Sequence, residues 1–171
     1  MTKIDIKKTC FFTGHRVLPI SRLDMIRDFI EKCVIDKYNE GITDFISGGA
    51  KGFDTIAAQV VIDLKEKIEY KNMRLLLYIP CYNFGEKWKY ADRCNLNMLR
   101  YKADEMEVIT KEQYAPGCMK ARNGRMVSDS CCGIAYMSTS YSGTGQTVAI
   151  AKKQGKNIIN IAEIIKTDIP F

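Results

Sequence analysis

Apolar runs and segments of helical period alternate along the whole chain. Thr9 to Thr13, Thr43 to Ser47, Met73 to Ile79, Asp104 to Ile109, Gly133 to Ser138 and Asn157 to Ile161 read as strands. Most are continuous apolar runs rather than strict alternations, the pattern of strands covered on both faces. The intervening segments read as helices. Ser21 is placed to cap one with Leu23, Ile26, Ile30, Cys33 and Val34 inward, and Gly41 supplies its stop. Asp54 opens a second with Ile56, Ala57, Val60, Val61 and Leu64 on one side. A third carries Trp88, Ala91, Met98 and Leu99, and a fourth runs from about Gly117 to Ser130 with Met119, Met126 and Val127 inward. The last begins near Thr144 and includes Val148, Ile150 and Ala151. Such alternation predicts an α/β fold: a Rossmann-like, doubly wound domain with a mainly parallel sheet of about six strands and helices on both faces. The longest irregular stretch, Pro80 to Glu86, is short enough for a loop, so residues 1–171 read as a single domain.

Three of the turns that follow strands are rich in glycine and polar groups: Thr13-Gly14-His15-Arg16, Gly48-Gly49-Ala50-Lys51-Gly52-Phe53-Asp54, and Ser142-Gly143-Thr144-Gly145-Gln146-Thr147. A parallel sheet gathers its strand-to-helix turns on one edge. A helix starting there offers free N–H groups and the positive end of its dipole, which suits an anion. The three turns together predict a pocket for a nucleotide or a phosphate-sugar.

Gly14, His15 and Arg16 follow the first strand, where doubly wound sheets place their sites. Arg16 is suited to fork onto a phosphate and His15 to donate to one; pairing of Arg16 with a structural carboxylate is the plainer alternative. In the second turn, Gly48 and Gly49 let the chain leave its strand sharply, and Gly52 brings the helix close to the sheet. Asp54 has three roles open to it: helix capping, accepting from a ribose hydroxyl, and general-base chemistry on a sugar. Ser142, Gly143 and Thr144 form a hydroxyl- and amide-rich nest at the last helix, with plain capping by Thr144 as the alternative. Tyr82, Phe84 and Trp88 are read either as a base-stacking group or as loop packing. Arg122 and Asn123 fall early in the fourth helix, facing either the crevice or solvent.

What is missing narrows the chemistry. The first turn lacks the G-x-G-x-x-G of dinucleotide-binding dehydrogenases, and Lys51 is not followed by the Ser or Thr of a Walker P-loop. With His15 as the one imidazole, a structural zinc site is not expected, and no metal or cofactor is identified. Seven scattered cysteines without a C-x-x-C pair read as reduced core thiols, which points to the cytoplasm. No stretch is apolar enough to span a bilayer, and the polar run Met1 to Lys8 does not read as a signal peptide. The net charge of +6 is spread rather than gathered into a basic block, so a nucleic-acid partner is not expected.

Taken together, Phe11-Phe12-Thr13-Gly14-His15-Arg16, Ser47-Gly48-Gly49-Ala50-Lys51-Gly52-Phe53-Asp54, Arg122-Asn123 with Met126-Val127, and Ser142-Gly143-Thr144 resemble the YpsA-like branch of the SLOG superfamily. That superfamily takes its name from the DNA-processing protein DprA (Smf) and the LOG phosphoribohydrolases. The resemblance runs from about Cys10 to Ile161. It implies a Rossmann-like fold, a pocket for a nucleotide or an ADP-ribose-like ligand, and a tendency to self-associate. The superfamily holds enzymes, DNA-binding proteins and ligand sensors, so it does not fix the activity. LOG enzymes carry P-G-G-x-G-T-x-x-E. Aligning its Gly-Thr with Gly143-Thr144 puts Thr147 where the Glu would stand, and threonine supplies no carboxylate. Binding or sensing of a small nucleotide ligand is therefore the leading expectation. A nucleotide N-glycosidase using Asp54 comes second and single-stranded DNA binding last; no catalytic residue is assigned.

Overall fold

The structure, a computed structural model, describes residues 3–167, so the ends of the 1–171 span lie outside the described residues. Its strands are β1 (Thr9–Gly14), β2 (Asp44–Ser47), β3 (Arg74–Ile79), β4 (Glu105–Val108), β5 (Cys132–Tyr136) and β6 (Asn157–Asn160). They form one parallel sheet in the order β4-β3-β2-β1-β5-β6. Helices α1 (Leu23–Asn39), α2 (Phe53–Lys65), α3 (Tyr90–Lys102), α4 (Cys118–Ser128) and α5 (Gly143–Lys153) make the crossovers, and α6 (Ile161–Thr167) follows β6. Strand order reverses between β1 and β5, the position at which doubly wound sheets open a crevice beyond the strand C-termini.

The continuous apolar runs have the burial they predict. β2 and β5 are buried throughout, and β1 and β3 at all but one end residue, whereas the edge strands β4 and β6 are largely half-buried. Alternate residues of one strand divide between two cores. Cys10, Phe12, Phe45, Leu75, Leu77 and Ile134 pack with α1, α2, α3 and α6, and Phe45 stacks on Phe12 at 5.9 Å between ring centroids. Phe11, Ile46, Leu76 and Tyr78 face the other way, onto Met126 and Val127 of α4 and Ala151 of α5. This period of two along each strand lets one sheet carry helices on both faces.

Some local expectations are corrected. Ser21 does not cap α1: Ile20–Arg22 form a 3-10 turn, and the preceding residue, Arg22, contributes no side-chain cap. Ala91 is exposed, and the inward face of α3 is set by Leu96 and Leu99 with Met98 half-buried. Helix α6 was not anticipated; its Ile161, Ala162 and Ile165 complete the larger core. All seven cysteines are free thiols, but Cys94 is exposed and Cys131 half-buried rather than in the core. Among the described residues, no helix is long and apolar enough to cross a membrane.

Candidate functional site

The first two turns are locked to each other. The Phe53 amide donates to the His15 carbonyl at 3.2 Å, and Gly52, at φ +74°, lies so near the carbonyls of His15 and Arg16 that a side chain there would collide with backbone. That conformation and that closeness both call for glycine. The segment between β5 and the third turn is tied to the first turn through His15. Its Nε2 accepts from the Ser138 amide at 2.9 Å, and its ring meets Tyr136 edge-on at 6.2 Å. Nε2 is therefore the unprotonated nitrogen, Nδ1 carries the proton, and burial lowers the imidazole pKa. Ser142, not Thr144, caps α5: its hydroxyl accepts from the Gly145 amide at 3.0 Å and donates to the Thr139 carbonyl at 3.1 Å.

These turns and the start of α4 enclose a crevice of about 270 Å³. Of the sequence-predicted residues, Gly14, His15, Arg16, Asp54, Arg122, Asn123, Ser142, Gly143 and Thr144 line it. Phe12, Thr13, Ala50 and Met119 line it as well. Ala50 lies inside the second glycine turn, and Met119 stands three and four residues before Arg122 and Asn123, one helical turn away. Their spacing was the available signal, although neither side chain carries a chemical label.

Gly48, Gly49, Gly52 and Thr147 do not line the crevice. Gly49 backs onto Leu77 and Leu96 in the core, and Thr147 is buried with its hydroxyl already used. That hydroxyl donates to the Gly143 carbonyl at 2.9 Å and accepts from Asn123 Nδ2 at 2.8 Å. Asn123 Oδ1 in turn accepts from Arg122 Nε at 2.7 Å, and Arg122 Nη1 donates to the Gly48 carbonyl. A single chain of hydrogen bonds thus runs from the first turn of α5 through α4 to the turn after β2. Lys51 points elsewhere: it pairs with Asp92 at 2.6 Å and lies 5.0 Å from the Trp88 ring centroid.

The electrostatics of the crevice are unbalanced. Asp54 is 5% exposed, and its Oδ1 has no hydrogen-bond partner among the described residues. Burial pushes its pKa up to about 6, against the opposing pull of the Arg122 charge, the Ala50 and Gly14 amides and the Arg16 charge. Arg122 is also 5% exposed, and burial lowers its pKa. Neither Arg122 nor the exposed Arg16 forms an ion pair among the described residues. Two guanidiniums without an ion pair, a buried carboxyl with one unpartnered oxygen and the positive end of the α5 dipole leave a cavity short of both an anion and a hydroxyl donor. Among the described residues, no group of three or more His, Cys, Asp or Glu is placed to hold a metal ion.

A parallel sheet in this order, with a polar crevice at its reversal point, defines the Rossmann-like, doubly wound class. Within that class the chain belongs to the YspA SLOG family, whose model matches residues 11–168. It is similar to a UPF0398 protein of Staphylococcus haemolyticus, with 25% identity over 114 residues covering 63% of this chain and 60% of that protein. A UPF0398 protein of Bacillus cereus is 26% identical over 136 residues, 78% of this chain and 73% of its own length. The chain spans about 60% of the length of the first of these relatives. Among solved structures, DNA processing protein A of Streptococcus pneumoniae matches 90% of this chain with 49% of its own, at a TM-score of 0.62 and 20% identity. The Helicobacter pylori protein, described for its single-stranded DNA binding mode, matches 88% with 63% of its own chain, at 0.58 and 17%. At those identities the likeness is one of fold.

Proposed function

We propose that the crevice binds the phosphate and ribose of a nucleotide-derived, ADP-ribose-like ligand, and that the protein acts as a cytoplasmic sensor or sequestering module for it. The observation that carries this reading is Asp54: a buried carboxyl, unpartnered at Oδ1, in the wall of a cavity that also holds an unpaired buried Arg122. A buried polar group without a partner is costly, and a bound ribose hydroxyl would supply the missing donor. Arg16 and the first amides of α5 would take the phosphate. Family membership supports a nucleotide-related ligand without naming it.

Calorimetric titration with ADP-ribose tests the proposal. Saturable one-to-one binding is expected, and the absence of heat with ADP-ribose, AMP and ribose 5-phosphate alike would sink it. Chromatography of the same mixtures tests turnover, because a carboxyl with a pKa near 6 is suited to acid–base work on an N-glycosidic bond. Release of free base that disappears in Asp54→Asn would make the protein a hydrolase. Single-stranded DNA is the second reading, favoured by the fold shared with DNA processing protein A and by the net charge of +6. It requires affinity that falls steeply with salt as counterions are released.

A further inference from the structure

A second cavity, of about 260 Å³, adjoins the first and shares Arg16 and Met119 with it. The two differ in chemistry. The first is lined by Asp54, Arg122, His15 and backbone, whereas the second is lined by Phe84, Trp88, Tyr114 and Met119 together with Asn83, Gly85 and Lys87. We infer that the second cavity takes the purine-type base of the ligand whose phosphate and ribose occupy the first, with Arg16 at the seam between them. This rests on the reading of the first cavity given above.

Three observations carry it. Each cavity alone is smaller than the roughly 300–1,000 Å³ usual for small-molecule sites, whereas the two joined fall inside that range. The Trp88 ring is held in a fixed orientation, edge-on to Phe84 at 4.8 Å between centroids and beneath Lys51, itself anchored by Asp92. A pre-oriented indole in a cavity wall is a stacking surface for a planar heterocycle. The Asn83 amide is also oriented, since its Oδ1 accepts from the Tyr114 amide at 2.7 Å. That leaves Nδ2 without a partner among the described residues, a donor for a ring nitrogen such as those of adenine. The aromatic group after β3 thus combines both roles open to it on sequence: Phe84 packs the loop, and Trp88 offers the surface.

Trp88 is the only tryptophan in the chain, so tryptophan emission, excited at a wavelength that the tyrosines do not absorb, reports on this cavity. The test compares AMP with ribose 5-phosphate, which lacks the base, by calorimetry and fluorescence together. Both are expected to bind, AMP about tenfold or more tighter, as base stacking on one aromatic provides. Only AMP should change Trp88 emission. Trp88→Leu should bring AMP down to the affinity of ribose 5-phosphate and leave the latter unchanged. Tyr114→Ala, at a position 63% exposed and so free of folding consequences, should weaken AMP selectively. Equal affinity for the two compounds with unmoved fluorescence would overturn the base assignment while leaving the phosphate site standing. Failure of both to bind would overturn this inference, and with ADP-ribose silent as well the phosphate site falls with it.

Discussion

The Arg122 guanidinium donates to the carbonyl of Gly48, 74 residues earlier in the chain, and fills the space that a side chain on residue 48 would need. Helix α4 reaches the crevice through that contact, and the absence of a Cβ at position 48 permits it. Gly48, which reads in sequence as letting the chain leave its strand sharply, also makes room for a buried cation.

Gly48→Ala is therefore expected to force the guanidinium out of place. A stability loss of about 1–3 kcal/mol should accompany a tenfold or greater loss of ligand affinity. Gly143→Ala is the contrast, since a Cβ there meets nothing within 4 Å. Its unfolding free energy should stay within about 0.5 kcal/mol of the parent in urea titrations.

Thr147 holds the first turn of α5 to α4 through Gly143 and Asn123. Thr147→Val keeps the shape and removes both hydrogen bonds. Chemical denaturation should show a loss of about 1–3 kcal/mol, as expected when buried partners are left unpaired.

For Asp54, the folded-state pKa of about 6 lies above the ordinary value of 3.8, so the folded protein holds this proton more tightly than the unfolded chain does. The stabilisation is full below about pH 4 and is lost as pH rises through about 6, amounting to about 3 kcal/mol over roughly two pH units. Asp54→Asn lacks this component. Between pH 4 and 7 the difference in unfolding free energy should move in favour of the variant by up to that amount, and a constant difference would contradict the assignment.

His15 behaves in the opposite sense. Its pKa is lowered by burial, so its contribution is complete above about pH 6.5 and declines as the imidazole becomes protonated at lower pH. It is the chain's single histidine, and its resonances can be followed without overlap from another imidazole. NMR titration should find the neutral ring protonated on Nδ1, titrating below 6.5, with the Ser138 amide losing protection relative to its intrinsic exchange rate on the acid side.

The sheet was legible because burial on both faces writes itself as continuous apolar runs. Thr9 to Thr13 and Thr43 to Ser47 match β1 and β2 to within a residue. The crevice was legible where side-chain chemistry and turn position coincide, as at Arg16, Asp54 and Ser142 to Thr144. It was illegible where a residue acts through space that it leaves empty, as Gly48 does for Arg122, or where periodicity leaves the facing of a helix undecided, as it did for Arg122 and Asn123. The cap of α1 was misread because Ser21 is drawn into a 3-10 turn, and α6 was missed because its seven residues follow β6 without a break. Thr147 was read as part of the hydroxyl-rich turn Ser142 to Thr147, but its position in α5 turns the hydroxyl back onto Gly143.

The most direct measurement is a thermal-shift comparison of the parent protein and Arg16→Ala with ribose 5-phosphate, AMP and ADP-ribose. Arg16 is exposed and makes no ion pair among the described residues, so the unliganded midpoints should coincide. A ligand at about 100 times its Kd adds about 2.7 kcal/mol, and the parent midpoint should rise by about 5–10 °C. That rise is expected for at least one of the compounds in the parent, together with its loss in Arg16→Ala. No rise with any of them, or an equal rise in the variant, would contradict it.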